Sequence, residues 1–161
     1  MLTLEAQGDP FEDLLKFVKA IVAPSQAEQQ QVSAAVREGW RENFTSESSG
    51  DGRAWQPLKP FTIAERLKRG YAAGPILVQS GRLRSSLLNP GAADSYEDLQ
   101  TASNGWTLLV GTENSYALKH ELGEGRIPAR PFIALSDQAE QRVVSALDSL
   151  VAQIEARVLG V

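Results

Sequence analysis

The sequence predicts an α+β domain, in which helices cover a small antiparallel or mixed sheet of three to four strands. Three observations predict it. Apolar residues recur at helical spacing near both ends of the chain, over 11–22 and 143–158. Between them, residues 95–101 and 106–110 read as two strands around Asn104-Gly105, the strongest short-range hairpin signal. A length of 161 residues suits a single core. The whole chain is expected to be one domain, with 1–24 a helical extension and 45–61 a mobile, proline-bracketed loop.

The first helix is signalled by Asp9 as cap, Pro10 at the first helical position and Glu12 three residues after the cap. Phe11, Leu14, Leu15, Val18, Ile21 and Val22 form its apolar stripe. Pro24 stops it by disfavouring helix at Ala23. A second helix starts at Ser25, where Glu28 completes a capping box. Val32, Ala35, Val36, Trp40 and Phe44 line one side of it, and the two helices are expected to form an antiparallel hairpin. Gly39 sits mid-helix at a cost of about 1 kcal/mol against alanine, which a close crossing would explain. Residues 45–53 are small, polar and glycine-rich and read as a loop.

Next, Pro57 and Pro60 bracket Leu58-Lys59, with Trp55 and Phe61 flanking. These aromatics either return to the core or form an exposed anchor. Thr62 and Glu65 form a third capping box for a short helix ending at Gly70. Residues 75–78 are strand-like in composition, and 82–88 form a helical stretch that Ser80 can cap. A lone hairpin is marginal in water, so 76–79 and 127–134 are its expected partners. The last helix, capped by Ser136 or Asp137, carries Val143, Ala146, Leu147, Leu150, Val151, Ile154 and Val158 as one stripe before Gly160. That stripe exceeds what so small a sheet can cover.

The chain has no cysteine, which excludes disulfides and thiolate chemistry. No apolar run is long enough to span a membrane, and the first residues lack a signal peptide's basic start and apolar stretch, so no membrane contact is expected. A net charge of −4 argues against binding nucleic acid through the whole surface. The charge is uneven, however. Residues 53–84 carry Arg53, Lys59, Arg66, Lys68, Arg69, Arg82 and Arg84 against Glu65 alone. Such a segment is either a solvated helix face or a contact for DNA or an acidic partner. His120 is the one histidine, so a zinc site would need carboxylates for its other ligands. Neither a serine elbow, a phosphate loop, a dinucleotide fingerprint nor a paired-carboxylate constellation is present. No catalytic residue, metal or cofactor is expected.

Within 111–135, Pro128 and Pro131 remove two backbone donors, so 127–132 cannot be an interior helix or a central strand. It is a stiff connector that either plugs Phe132 into the core or presents Arg130 and Phe132 for docking. Trp55, Leu58, Arg130 and Phe132 are therefore the candidates for subunit contacts. Arg66, Lys68, Arg69, Arg82 and Arg84 are the candidates for DNA or acidic partners.

Five blocks in order carry a resemblance: W-x-P-L at 55–58, P-I-L-V-x-S-G-R-L-R-S-S at 75–86, G-T at 111–112, Y-A-x-x-H-E-x-G at 116–123 and I-P-A-R-P-F at 127–132. Together they resemble the phage virion morphogenesis family, which includes tail-completion proteins of contractile-tailed temperate phages. The likeness spans roughly 32–150 and leaves out the first helix. It implies a structural protein of the head–tail junction, located in the virion neck or at the top of the tail and assembled in the host cytoplasm. It further implies a cyclic ring of identical copies, hexamer or dodecamer, contacting neck, portal-adaptor or tail-tube proteins and touching channel DNA weakly.

Overall fold

A computed structural model describes residues 10–22, 24–102 and 105–160. The elements run α1 (Pro10–Val22), α2 (Gln26–Ser46), α3 (Pro60–Lys68), α4 (Arg82–Leu88), β1 (Ser95–Ala102), β2 (Gly105–Thr112), α5 (Ala117–Leu122) and α6 (Asp137–Leu159). The class is α+β, as expected. Asp9 and Asn104, the expected cap and turn residue, lie outside the described residues.

The spine is α2. Its second half sends Trp40 and Phe44 into a core shared with Trp55, Leu83, Leu87 and Phe132. Its first half sends Val32 into a second core with Leu150 and Ile154 of α6, flanked by Phe17 of α1 and by Trp106 and Leu108 of β2. Because α2 is covered on more than one side, it buries Glu28, Ser33, Arg37 and Asn43 as well. Each has a partner, as buried polar groups require. Glu28 accepts from the Ser25 amide at 2.7 Å, closing the capping box, and pairs with Arg157 at 2.8 Å. Arg37 donates to the Leu87 carbonyl and pairs with Glu97 at 3.0 Å.

The expected close crossing at Gly39 is real. A Cβ there would lie 2.6 Å from Leu135 Cδ2 and 2.9 Å from the Cβ of Ala139, so the Leu135 side chain and the first turn of α6 pack directly on the glycine. Gly50 serves the same end: its Cβ would fall 2.5 Å from the Ala134 carbonyl oxygen. The glycine-rich loop beneath it is closed locally. Ser49 donates to Asp51 at 2.6 Å, its amide bonds the Arg53 carbonyl at 2.9 Å, and Ser48 bridges to Ala54.

Several expectations need correction. Among the described residues the sheet has two strands, β1 and β2, paired antiparallel from Ser95↔Thr112 to Ala102↔Gly105, rather than three or four. Residues 76–77 form a turn with Leu77 left-handed at φ 60°, not a strand. Residues 127–134 are extended but pair with neither strand, for a reason given below. The N-terminal helices do not form a tight hairpin; the main contacts of α1 are with α6 and β2. Only Phe17 of its described side chains packs inward, leaving Phe11, Leu14, Leu15 and Val18 exposed. Finally, α3 begins at Pro60, the preferred N1 position for proline, two residues before the expected Thr62 box. The long apolar stripe of α6 is covered chiefly by α2 and α1, with Val151 left exposed.

Candidate interaction cleft

The segment 127–135 has no strand partner because side chains take its backbone groups instead. Two prolines deprive it of the donors that a ladder needs. Its carbonyls are nonetheless claimed: Pro131 by the Trp55 indole at 2.9 Å, Ile133 by the Trp40 indole at 2.8 Å, and Phe132 and Ala134 by Asn43 at 3.1 and 2.7 Å. Its amides are claimed too. Glu121 accepts from Phe132 at 2.8 Å, and the His120 carbonyl accepts from Arg130 at 2.7 Å. Every buried backbone group must find a partner, and here α2, α5 and Trp55 provide them. Phe132 is thereby driven to 0% exposure against Phe44, whose ring meets Trp55 edge-on at 5.6 Å.

The sequence-derived contact residues thus divide. Trp55 and Phe132 are core, and Arg130 is 6% exposed. Arg130 ties the segment to 55–58 through the carbonyls of Gln56 at 2.9 Å and Pro57 at 3.4 Å. Leu58 alone is half-buried. Of the cation candidates, Arg66 is buried and donates to the Pro75 carbonyl at 2.8 Å, while Arg82 is held by Asp94 at 2.8 Å. Lys68, Arg69 and Arg84 are exposed, with Arg69 3.7 Å from Glu65.

Leu58, Arg66, Arg82 and Arg130 line one cleft of about 450 Å³, between the 56–59 strap, α3, the start of α4, α5 and residues 126–130. The volume lies within the usual range for ligand clefts, about 300–1,000 Å³. Lys59, Arg126 and His120 complete its basic lining, and among the described residues no aspartate or glutamate lines it. Leu77, Leu83, Ile127 and Pro128 supply apolar wall. Lys59 comes from the basic run 53–84, whereas nothing in the sequence links Arg126 or His120 to it. Their signal is faint: Lys59 stands beside a proline, Arg126 beside a glycine and His120 between Lys119 and Glu121, distant in sequence and joined only by the fold.

The electrostatics are strained. Burial pushes Arg66 below its ordinary value, opposed by Glu47, and burial with the charge of Arg66 pushes Arg130 down. Glu47 is itself engaged by the Ile76 amide at 2.6 Å. Arg66 Nε and His120 Nδ1 are buried without a hydrogen-bond partner. The carbonyls that hold Arg66 and Arg130 orient them without cancelling their charge. In contrast, Arg82 holds the Asp94 carboxyl below its usual range.

Burial, then Arg130 and Arg66, push His120 below its ordinary value of about 6.5. An unfolded chain therefore takes up the proton at higher pH than the folded one. His120 thus favours the fold fully above about 6.5, and this contribution falls away as pH drops through the depressed folded value. A single imidazole NMR titration should show its midpoint below 6.5, and His120→Gln should lose less stability than the parent between about pH 7 and 5. A midpoint at or above 6.5 would contradict this reading.

No helix among the described residues is long and apolar enough to cross a membrane. None of them forms a cluster of three or more histidine and carboxylate side chains able to hold a metal ion.

A small α+β subunit, with its proline-held connector locked inside and apolar helix surface left outside, has the form of an assembly component. The chain belongs to the phage virion morphogenesis family, which matches residues 7–152 and so includes the first helix. It is a protein of phage virion assembly. It is 22% identical over 123 residues to the Mu-like prophage FluMu G protein 1 of Haemophilus influenzae, covering 76% of this chain and 77% of that protein. No solved structure matches.

Proposed function

We propose that the chain is a subunit of the head–tail junction, a neck or tail-completion protein of tail-terminator type that closes into a ring of identical copies joining head or portal to tail. The observation that carries this reading is the outer face of α1, where Leu14 is 55% exposed, Leu15 40% and Val18 46%. Burying one such side chain is worth about 1.5–3 kcal/mol. An amphipathic helix that leaves Leu14, Leu15 and Val18 turned outward is suited to a neighbouring subunit. Head-to-tail contacts of this kind close rings.

The test separates folding from assembly. Leu14→Glu with Val18→Glu should leave the melting temperature of the isolated chain nearly unchanged, because both positions are exposed. The same pair should abolish ring formation seen by light scattering and electron microscopy of assembled necks. Particles containing single, non-contacting copies would overturn the proposal. The DNA-adaptor reading is weaker, since Arg66 and Arg82 are engaged internally. A channel contact would fall to Lys68, Arg69 and Arg84, and it would weaken steeply with salt.

A further inference from the structure

We infer that the basic cleft is a docking site for an extended acidic peptide segment of another protein, with a carboxylate facing Arg66 and Arg130 and apolar side chains lying on Leu58 and Ile127. Four observations lead there.

The first is charge. Two guanidiniums, each 6% exposed, meet in one cleft with Lys59 and Arg126 at its exposed edge. Among the described residues no carboxylate lines the cleft in return. Burying like charges together is unfavourable, and an incoming anion reverses that cost. Second, donor capacity is left over at Arg66 Nε. A guanidinium is a planar fork of donors whose natural acceptor is a carboxylate or phosphate oxygen.

Third, the cleft is larger than one small anion needs, and apolar wall alternates with the cations. That combination suits a chain with acidic and apolar residues interspersed. It suits a duplex less well, because phosphates on a stiff, broad backbone approach Arg66 and Arg130, each 6% exposed, less readily than a carboxylate on a flexible side chain. Fourth, of the described extended segments, 53–58 and 126–135 contain no aspartate or glutamate, and β1 is paired along its length with β2, with its Glu97 held by Arg37. Among its described residues a second copy therefore offers no free extended acidic segment, and the occupant comes from a different protein.

The experiment uses the intact chain and a blocked six-residue peptide alternating glutamate with leucine or proline. At low salt the peptide should saturably shift the single imidazole signal of His120, with affinity falling as salt rises. The Lys59→Gln/Arg126→Gln variant, changed at exposed positions only, should bind about tenfold more weakly while folding normally. The inference is overturned if the variant binds equally well, or if a lysine-for-glutamate twin gives the same shifts. It is equally overturned if no shift occurs at millimolar peptide. Saturable shifts of the same signal by inorganic phosphate, by duplex DNA or by added copies of the chain itself would assign the cleft to those occupants instead. Ring assembly is an independent readout: this variant should still assemble, and Leu14→Glu should still bind the peptide.

Discussion

Phe132→Ala is expected to destabilise the isolated chain by about 3–5 kcal/mol, the cost of emptying a large aromatic site in a packed core. Phe132 has 0% exposure and sits against Phe44, beside Trp55. The site has little freedom to collapse. The backbone on either side is held by the Trp55 and Trp40 indoles, by Asn43 and by Glu121. A cavity whose walls are fixed in this way retains its volume, and the cost rises with residual volume. Against a total stability of about 5–15 kcal/mol for a typical domain, this is a large fraction. Denaturant unfolding should show a lower midpoint with an unchanged slope. An unchanged midpoint together with lost assembly would mean that Phe132 is a subunit contact.

The second large effect is an asymmetry. Arg37 has a side chain only 3% exposed and is paired with Glu97 at 3.0 Å. Removing the carboxylate with Glu97→Ala leaves a buried guanidinium with the Leu87 carbonyl and no counter-charge. Breaking a buried pair from one side costs about 3–5 kcal/mol, because the remaining charge is uncompensated. The opposite change, Arg37→Met, keeps most of the volume and removes the charge. Glu97, whose side chain is 24% exposed, can then turn to water. Its loss should be smaller, about 1–2 kcal/mol, mainly for the Leu87 carbonyl left unpaired. The double variant Arg37→Met/Glu97→Leu should recover much of what Glu97→Ala loses. Equal losses from Glu97→Ala and Arg37→Met would show that the pair contributes only packing.

Helix ends were the most legible feature, because caps are local chemistry. Ser25 with Glu28, Ser136, and Gly160 are where they were expected. Strand partners were misread for an equally physical reason. Residues 76–79 and 127–134 have strand-like composition, but composition does not say where backbone hydrogen bonds go. In 127–134 they go to two indoles, an amide, a carboxylate and the His120 carbonyl, from α2, α5 and Trp55, and Pro128 and Pro131 leave no regular ladder. Trp55 and Phe132 stand out in the sequence as aromatics on stiff, proline-held segments, and both side chains lie in the core. The basic run 53–84 was recognised as a charge imbalance, yet only Lys59, Arg66 and Arg82 of its cations reach the cleft. His120, Arg126 and Arg130 join them from beyond residue 111 in the chain.

By itself, then, the sequence determined which segments are helical, where they stop, that one hairpin forms, and to which family of phage assembly proteins the chain belongs. Those properties depend on residues close together or on motifs in fixed order. Only the tertiary structure decided that polar-looking α2 is the buried spine, that α1 leaves Leu14, Leu15 and Val18 outward, and that basic residues distant in sequence share one cleft that no aspartate or glutamate among the described residues lines. Such outcomes depend on which faces meet, and packing between remote segments has no local signature in the chain.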